Sequence, residues 1–353
     1  MIQEKTGVLL VNTGSPAAPT PQAVGAYLSE FLMDGAVRPL PALPWWLILH
    51  ACILPCRKKT SAAKYREVWL EKGSPLVVYA QSLSRGVQRM FDDDRAVFPE
   101  GCRVVCGMSY GDPSVRDALE RLRQEGCQRL AVIPLYPQSA HSTTGSALRR
   151  VRSCLKEMGW SPDAREVESY GSYQVYVDAI ASSVAAAGFN VAKDRVAFSF
   201  HSIPLTDVEA GDAYSSQVEA TCEDVARLLG IPRERWSLSY QSPFEDNRTW
   251  LGPFTTSRLG ELAREARQDG GDVYCICPGF AFDCLETLYD VPHELAPAFL
   301  AGLSDADRAD AEPAQLFEAR ALLPRLVYVP CLNDSHAHAR VVHGLACQAL
   351  LAG

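Results

Sequence analysis

The sequence of 353 residues predicts an α/β protein made of two Rossmann-like, doubly wound parallel-sheet halves. Three observations carry that prediction. Short aliphatic or β-branched runs alternate with longer stretches of helical period, and this alternation occurs twice along the chain. The runs are apolar throughout, as strands covered on both faces of a parallel sheet are. A composition of 47% hydrophobic and 22% charged residues is enough to build a sizeable core.

The first run is Val8-Leu9-Leu10-Val11, and the second spans residues 103–108. A helix over 114–125 follows, with Val115, Leu119 and Leu122 on one face, and then a third run over 129–135. Trp160-Ser161-Pro162-Asp163 interrupts the pattern within a seam at 159–168, which sets expected domains of 1–165 and 166–334. The second half repeats the scheme: a run at 195–200, a helix over 216–229 with Val218, Cys222, Val225 and Leu229 inward, and runs at 272–277 and 325–329. Residues 335–351 again have helical period. Right-handed crossovers between such strands place ligands at the strands' carboxyl ends, where His201, Gln138 and the Pro278-Gly279 turn fall.

Several classes of function are excluded early. Lys and Arg total 34 against 42 Asp and Glu, with no basic tract, so a nucleic acid partner is not expected. The first strand ends in Asn12-Thr13-Gly14-Ser15-Pro16, which matches neither phosphate-binding glycine motif. Residues 1–6 run directly into that strand without the parts of a signal peptide, giving a cytoplasmic expectation. The twelve cysteines are scattered singly through apolar stretches, as reduced, buried thiols are.

Two short segments carry chemistry. His201 closes the run Ser199-Phe200-His201-Ser202-Ile203-Pro204, and Glu286 lies 85 residues later, beyond Cys277-Pro278-Gly279-Phe280. An imidazole and a carboxylate facing one cavity can take protons from a ligand and also hold a divalent metal. Asp283, Glu286 and Asp290 stand at i, i+3 and i+7, so on a continuous helix they share a face that conducts protons or metal, or is simply solvated. Alone, His201 equally fits a structural hydrogen bond.

The surrounding words resemble those of the ferrochelatases, which insert ferrous iron into a porphyrin to complete haem. The matching segments are residues 7–16, Tyr136-Pro137-Gln138 with 142–146, 199–204 with 211–214, Tyr240-Gln241-Ser242, Trp250-Leu251-Gly252-Pro253, 277–288 and 330–334. The resemblance implies a chelatase-type fold whose two domains face a central cleft, with helix 335–351 returning to the first domain. It implies that His201 and Glu286 are catalytic and contact the metal, and that Tyr214, Trp250, Phe280 and Asp283 contact the porphyrin. Asn12, Thr13, Gln138 and Ser142 belong to the first domain's binding loops.

The sequence departs from the family pattern at Ser109, Ser139 and Ala213, where Arg, Tyr and Pro are usual. Thr13 stands where relatives acting on coproporphyrin often carry Tyr, which favours protoporphyrin IX and keeps coproporphyrin III as the alternative. A cobalt or nickel chelatase is disfavoured by the Cys-Pro-Gly-Phe and Tyr-Gln-Ser words. A non-catalytic porphyrin carrier would have lost His201 or Glu286. No cofactor beyond the substrate iron is expected, and no iron-sulfur cluster, because the tail after Cys331 holds only Cys347.

The most apolar stretch, residues 44–55, has ten residues between its prolines, too few for the ~20 needed to cross a bilayer. Most of its side chains are expected in a buried or half-buried helix. By resemblance it forms an apolar lip, and its paired Trp45 and Trp46 also suit peripheral contact with a membrane surface. Oligomeric state is left open by the sequence.

Overall fold

Parallel pairing of short apolar strands organises both halves of the computed structural model, which describes residues 4–244, 246–303 and 323–352. The chain divides into two units, Met1–Tyr170 with Asn333–Gly353, and Gly171–Leu332.

In unit 1 the strands are β1 (Thr6–Gly14), β2 (Cys102–Tyr110), β3 (Arg129–Pro134) and β4 (Asp163–Glu166), in the order β2-β1-β3-β4. The helices are α1 (Pro21–Leu32), α2 (Ala42–Ile48), α3 (Leu54–Val68), α4 (Pro75–Asp93), α5 (Val115–Gln124) and α6 (Ser146–Glu157). Central β1 is buried almost throughout, because both of its faces are covered. Leu9 and Val11 pack with Leu119, Leu122, Leu148 and Val151 of α5 and α6. Val8 and Leu10 point the other way and are equally buried. Gly14 ends the strand at φ +106°, where an added Cβ would lie 1.8 Å from the Tyr110 carbonyl, so only glycine fits.

Unit 2 contains β5 (Arg195–His201), β6 (Trp236–Gln241), β7 (Val273–Ile276) and β8 (Leu326–Val329), ordered β6-β5-β7-β8. Its helices are α7 (Gln174–Ala186), α8 (Leu205–Glu209), α9 (Tyr214–Leu229), α10 (Thr255–Asp269), α11 (Leu285–Leu288) and α12 (Ala296–Ala301). Ala197, Val273 and Cys275 of the sheet pack against Leu259, Leu262 and Phe299. The closing helix α13 (His336–Leu351) belongs to unit 1, where it packs on α4 and β3. Numbered within its own unit, each sheet therefore reads 2-1-3-4, and its switch point lies between the first and third strands.

Two strands escape the apolar-run criterion. β4 reads Asp-Ala-Arg-Glu and is an edge strand, held by parallel pairing with β3 and by the Arg129–Asp163 ion pair at 3.1 Å. β6 reads Trp-Ser-Leu-Ser-Tyr-Gln, also at an edge, with serines interleaved among its larger residues. Where caps are local they are plain in the sequence. Ser114 and Asp117 form the capping box of α5, and Gly230 and Gly270 close α9 and α10 in the left-handed conformation. No helix among the described residues is long and apolar enough to cross a membrane.

Candidate active site

The carboxyl ends of β5, β6 and β7 assemble the chemistry of unit 2. His201 is the last residue of β5 and pairs in register with Gln241, the last residue of β6. Its Nδ1 lies 2.6 Å from the Ser202 carbonyl oxygen. A carbonyl can only accept, so Nδ1 carries a proton, and in the neutral ring Nε2 has the lone pair. The ring meets Phe244 edge-on at 5.9 Å, and the Tyr214 hydroxyl donates to the His201 carbonyl at 3.0 Å. Both ring and backbone are thereby fixed.

Gln241 links this histidine to the acidic turn. Its Nε2 donates to the Glu286 carbonyl at 2.8 Å, while its Oε1 accepts from Ser199 Oγ, which also meets Thr255 Oγ1 at 2.8 Å. The ends of β5 and β6, the short α11 and the start of α10 are thus joined around one side-chain amide. The amide ties the Glu286 backbone to the strand that pairs with His201.

The acidic row expected on one helix face is not formed. The turn after β7 closes with Phe280 N donating to the Cys277 carbonyl, and irregular backbone continues until Cys284 caps the four-residue α11. Thr287 Oγ1 meets the Cys284 amide at 3.0 Å, so the short helix starts afresh beyond Asp283. Asp283, only 4% exposed, accepts through Oδ1 from Thr287 Oγ1 at 3.0 Å and from Tyr328 OH at 2.5 Å. It braces β8 against the turn. Asp290, 8% exposed, accepts from Ser242 Oγ at 2.8 Å. Glu286 is the half-exposed carboxylate of the three.

The aromatic residues divide in a similar way. Trp250 is half-buried, carried beside the His201 loop by its bridge to Pro204 and by the Leu251 amide donating to Ile203. Its ring stands 5.2 Å from Phe244, its Nε1 donates to Asp246 at 3.1 Å, and the Arg248 guanidinium lies 4.9 Å over its face. Phe280 is half-buried on the turn after β7. Tyr214, by contrast, is buried at the start of α9, where burial pushes its phenol up and its hydroxyl donates to the His201 backbone carbonyl. Phe244, Ser199, Thr255 and Tyr328 have no signature in the sequence spacing. The word Tyr240-Gln241-Ser242 was the one signal that pointed to the Gln241 link.

In unit 1 the switch point joins the ends of β1 and β3. Buried Asn12 accepts through Oδ1 from the Thr13 amide at 2.6 Å, and Thr13 Oγ1 meets Tyr136 OH at 2.5 Å. Gln138 is buried and Ser142 half-buried in the loops that follow β3. Nearby, Asp34 accepts from Tyr110 OH at 2.8 Å and Ser146 Oγ at 2.7 Å. Burial alone would raise the Asp34 carboxyl, but the Ala36 amide and these hydroxyls outweigh it and hold it below its ordinary value.

The apolar stretch proves more open than a buried helix. Leu43, Trp46 and Leu47 are 73%, 47% and 55% exposed, while Trp45 is half-buried with its Nε1 donating to the Leu32 carbonyl at 2.7 Å. One tryptophan anchors the segment and the other is displayed. Among the thiols, Cys277 is raised well above the ordinary range by its hydrogen bond with Cys275 and then by burial, while burial first raises Cys284 and Cys331. These thiols are therefore protonated at neutral pH.

Two four-stranded parallel sheets, each ordered 2-1-3-4 and flanked by helices, give the chain a chelatase-type α/β fold. SirB from Bacillus subtilis, solved with Fe3+, shares the fold with a TM-score of 0.51, covering 98% of this chain and 96% of that one at 12% identity. A sequence model of the family described as Ferrochelatase matches residues 5–350. The chain is 38% identical to the ferrochelatase of Methylococcus capsulatus over 342 residues, covering 97% and 95% of the two chains. It is 37% identical to that of Xanthomonas axonopodis pv. citri over 352 residues, covering 98% of each. The chain belongs to the ferrochelatase family, and is an enzyme of haem biosynthesis.

Proposed function

We propose that the enzyme inserts Fe2+ into protoporphyrin IX, forming protohaem and releasing two protons. The observation that carries the reading is the Ser202 carbonyl on His201 Nδ1, which leaves the Nε2 lone pair to accept a pyrrole proton or to meet the iron. Glu286, held at its backbone by Gln241, supplies the carboxylate that passes protons on or steadies the partly dehydrated metal. Trp250 and Phe280 stack on or abut the macrocycle. Because Thr13 is short and its hydroxyl is engaged by Tyr136, iron ligation from that residue is disfavoured, which supports protoporphyrin over coproporphyrin III.

Displayed Trp46 and Leu47 act as an apolar lip for a poorly soluble substrate, and the same side chains support peripheral attachment to the inner membrane face of a cytoplasmic protein. The tail after Cys331 holds only Cys347, which supports catalysis without an iron-sulfur cluster.

The test is an anaerobic absorbance assay with Fe2+ and each porphyrin in turn. The expected result is conversion of protoporphyrin IX to haem, faster than coproporphyrin III. Faster coproporphyrin turnover would reverse the substrate assignment, and binding without any metallation would make the protein a carrier. Stoichiometric acid-labile sulfide in anaerobically purified protein would overturn the cluster-free reading.

A further inference from the structure

Away from the strand ends, unit 1 brings three side chains of metal-ligand type together. His343 and Cys347 stand at i and i+4 on α13, on one helix face, and Asp94 is the residue that caps the end of α4. His343 Nε2 is 3.1 Å from Asp94 Oδ2, and Cys347 Sγ is 3.7 Å from that same Nε2. All three ligand atoms lie within 4.8 Å of one another.

A tetrahedral zinc-type ion has bonds of about 2.0 Å to nitrogen or oxygen and about 2.3 Å to sulfur, which makes its ligand edges roughly 3.3 Å for N···O and 3.6 Å for S···N. The N···O and S···N spacings, 3.1 and 3.7 Å, lie within a few tenths of an ångström of those edges, while Cys347 Sγ also stands 3.9 Å from Nδ1 and within 4.8 Å of the Asp94 carboxylate. We infer that Asp94, His343 and Cys347 bind a borderline divalent transition-metal ion such as Zn2+, with water in the fourth position, fastening α13 to the end of α4.

The surroundings suit that role. The Phe91 ring packs 4.5 Å from the imidazole and limits its rotation, and His343 is largely covered while Asp94 leaves one side open to solvent. Burial holds His343 below its ordinary pKa despite Asp94, so the ring is a neutral ligand already. Burial, and next the Asp94 charge, push the Cys347 thiol up to about 11. Metal entry must therefore break the S–H bond, release that proton to solvent and form a metal–thiolate bond, while the imidazole proton shifts to Nδ1. One carboxylate and one thiolate then neutralise the dication. None of the three residues belongs to the proposed catalytic machinery, and all lie in the unit that does not carry His201.

Metal-stripped full-length protein titrated with Co2+ tests this directly. The expected result is one equivalent bound with the intense near-ultraviolet charge-transfer band of a cobalt thiolate, retained in His201→Ala and lost in Cys347→Ser. His343→Ala should weaken binding of this equivalent by at least ~100-fold, and Zn2+ should raise the melting temperature of the wild type but not of either ligand variant. Both variants should keep wild-type iron insertion. Absence of the thiolate band, or a Zn2+ response that survives Cys347→Ser and His343→Ala, would overturn the proposal and leave an ordinary hydrogen-bonded cap between two helices.

Discussion

At the switch point of unit 1 the groups that meet are hydroxyls, Thr13 Oγ1 and Tyr136 OH at 2.5 Å, beside the buried amide of Asn12. At the strand ends of unit 2 they are an imidazole, the Gln241 amide and the turn that carries Glu286. The strand order is identical in the two, so topology explains where each site lies but not what it does. Unit 2 places an imidazole and a carboxylate-bearing turn beyond its strand ends, residue types that can take and pass protons. Hydroxyl pairs can shape and bind without titrating.

Breaking unit 2 should have the largest effect. His201→Ala is expected to bind porphyrin yet lose about 10³-fold or more in kcat, and Glu286→Gln about 10²-fold, the range of a missing acid or base. An anaerobic stopped assay measures both. Turnover near wild type in either variant would erase the contrast between the units.

A second contrast separates catalysis from stability. His338 in α13 is fully buried, donates from Nδ1 to the Asn333 carbonyl at 2.5 Å, and is lowered by burial from 6.5 to about 4. The unfolded chain then binds a proton that the folded one refuses, so stability is complete above about pH 6.5 and declines as pH falls toward 4. The loss across that window is about 3 kcal/mol. Urea melts at pH 7 and pH 4.5 should show it, and His338→Gln should flatten the profile without changing the pH dependence of kcat.

Gln241→Leu keeps volume but releases Glu286, and should lower kcat about 10- to 100-fold with KM little changed, the effect of misplacing a catalytic group. A pure KM effect would show that the amide contacts porphyrin instead. Smaller still, Trp46→Ser with Leu47→Ser should reduce kcat/KM for porphyrin by roughly 5- to 10-fold at unchanged melting temperature, through lost apolar contact. Trp45→Ser should instead lower the melting temperature, since its indole holds the Leu32 carbonyl. The smallest change belongs to unit 1's hydroxyl pair, where Thr13→Val should alter KM by about 3-fold or less and leave kcat intact.

Legibility in the sequence followed the range of the interaction. The apolar runs of β1, β3, β5 and β7 could be read because burial on both faces leaves a local record. Edge strands β4 and β6 could not, since polar residues interrupt any apolar run in Asp-Ala-Arg-Glu and Trp-Ser-Leu-Ser-Tyr-Gln. His201 and the Pro278-Gly279 turn were placed correctly at strand ends by pattern alone. The helical face assumed for Asp283, Glu286 and Asp290 failed because regular spacing presumes a regular helix, and Cys284 restarts it.

By itself, then, the sequence determined the parallel sheets, their strand ends, the helix caps and the pair of residue types fitted for chemistry, all properties set within windows of a few to a dozen residues. The tertiary structure alone decided which carboxylate stays available, which tryptophan is displayed and which nitrogen of His201 keeps its lone pair. Those outcomes depend on partners brought by register and crossover. Tyr328 reaches Asp283 across 45 residues and Gln241 reaches Glu286 across the same span, distances over which local periodicity carries no information.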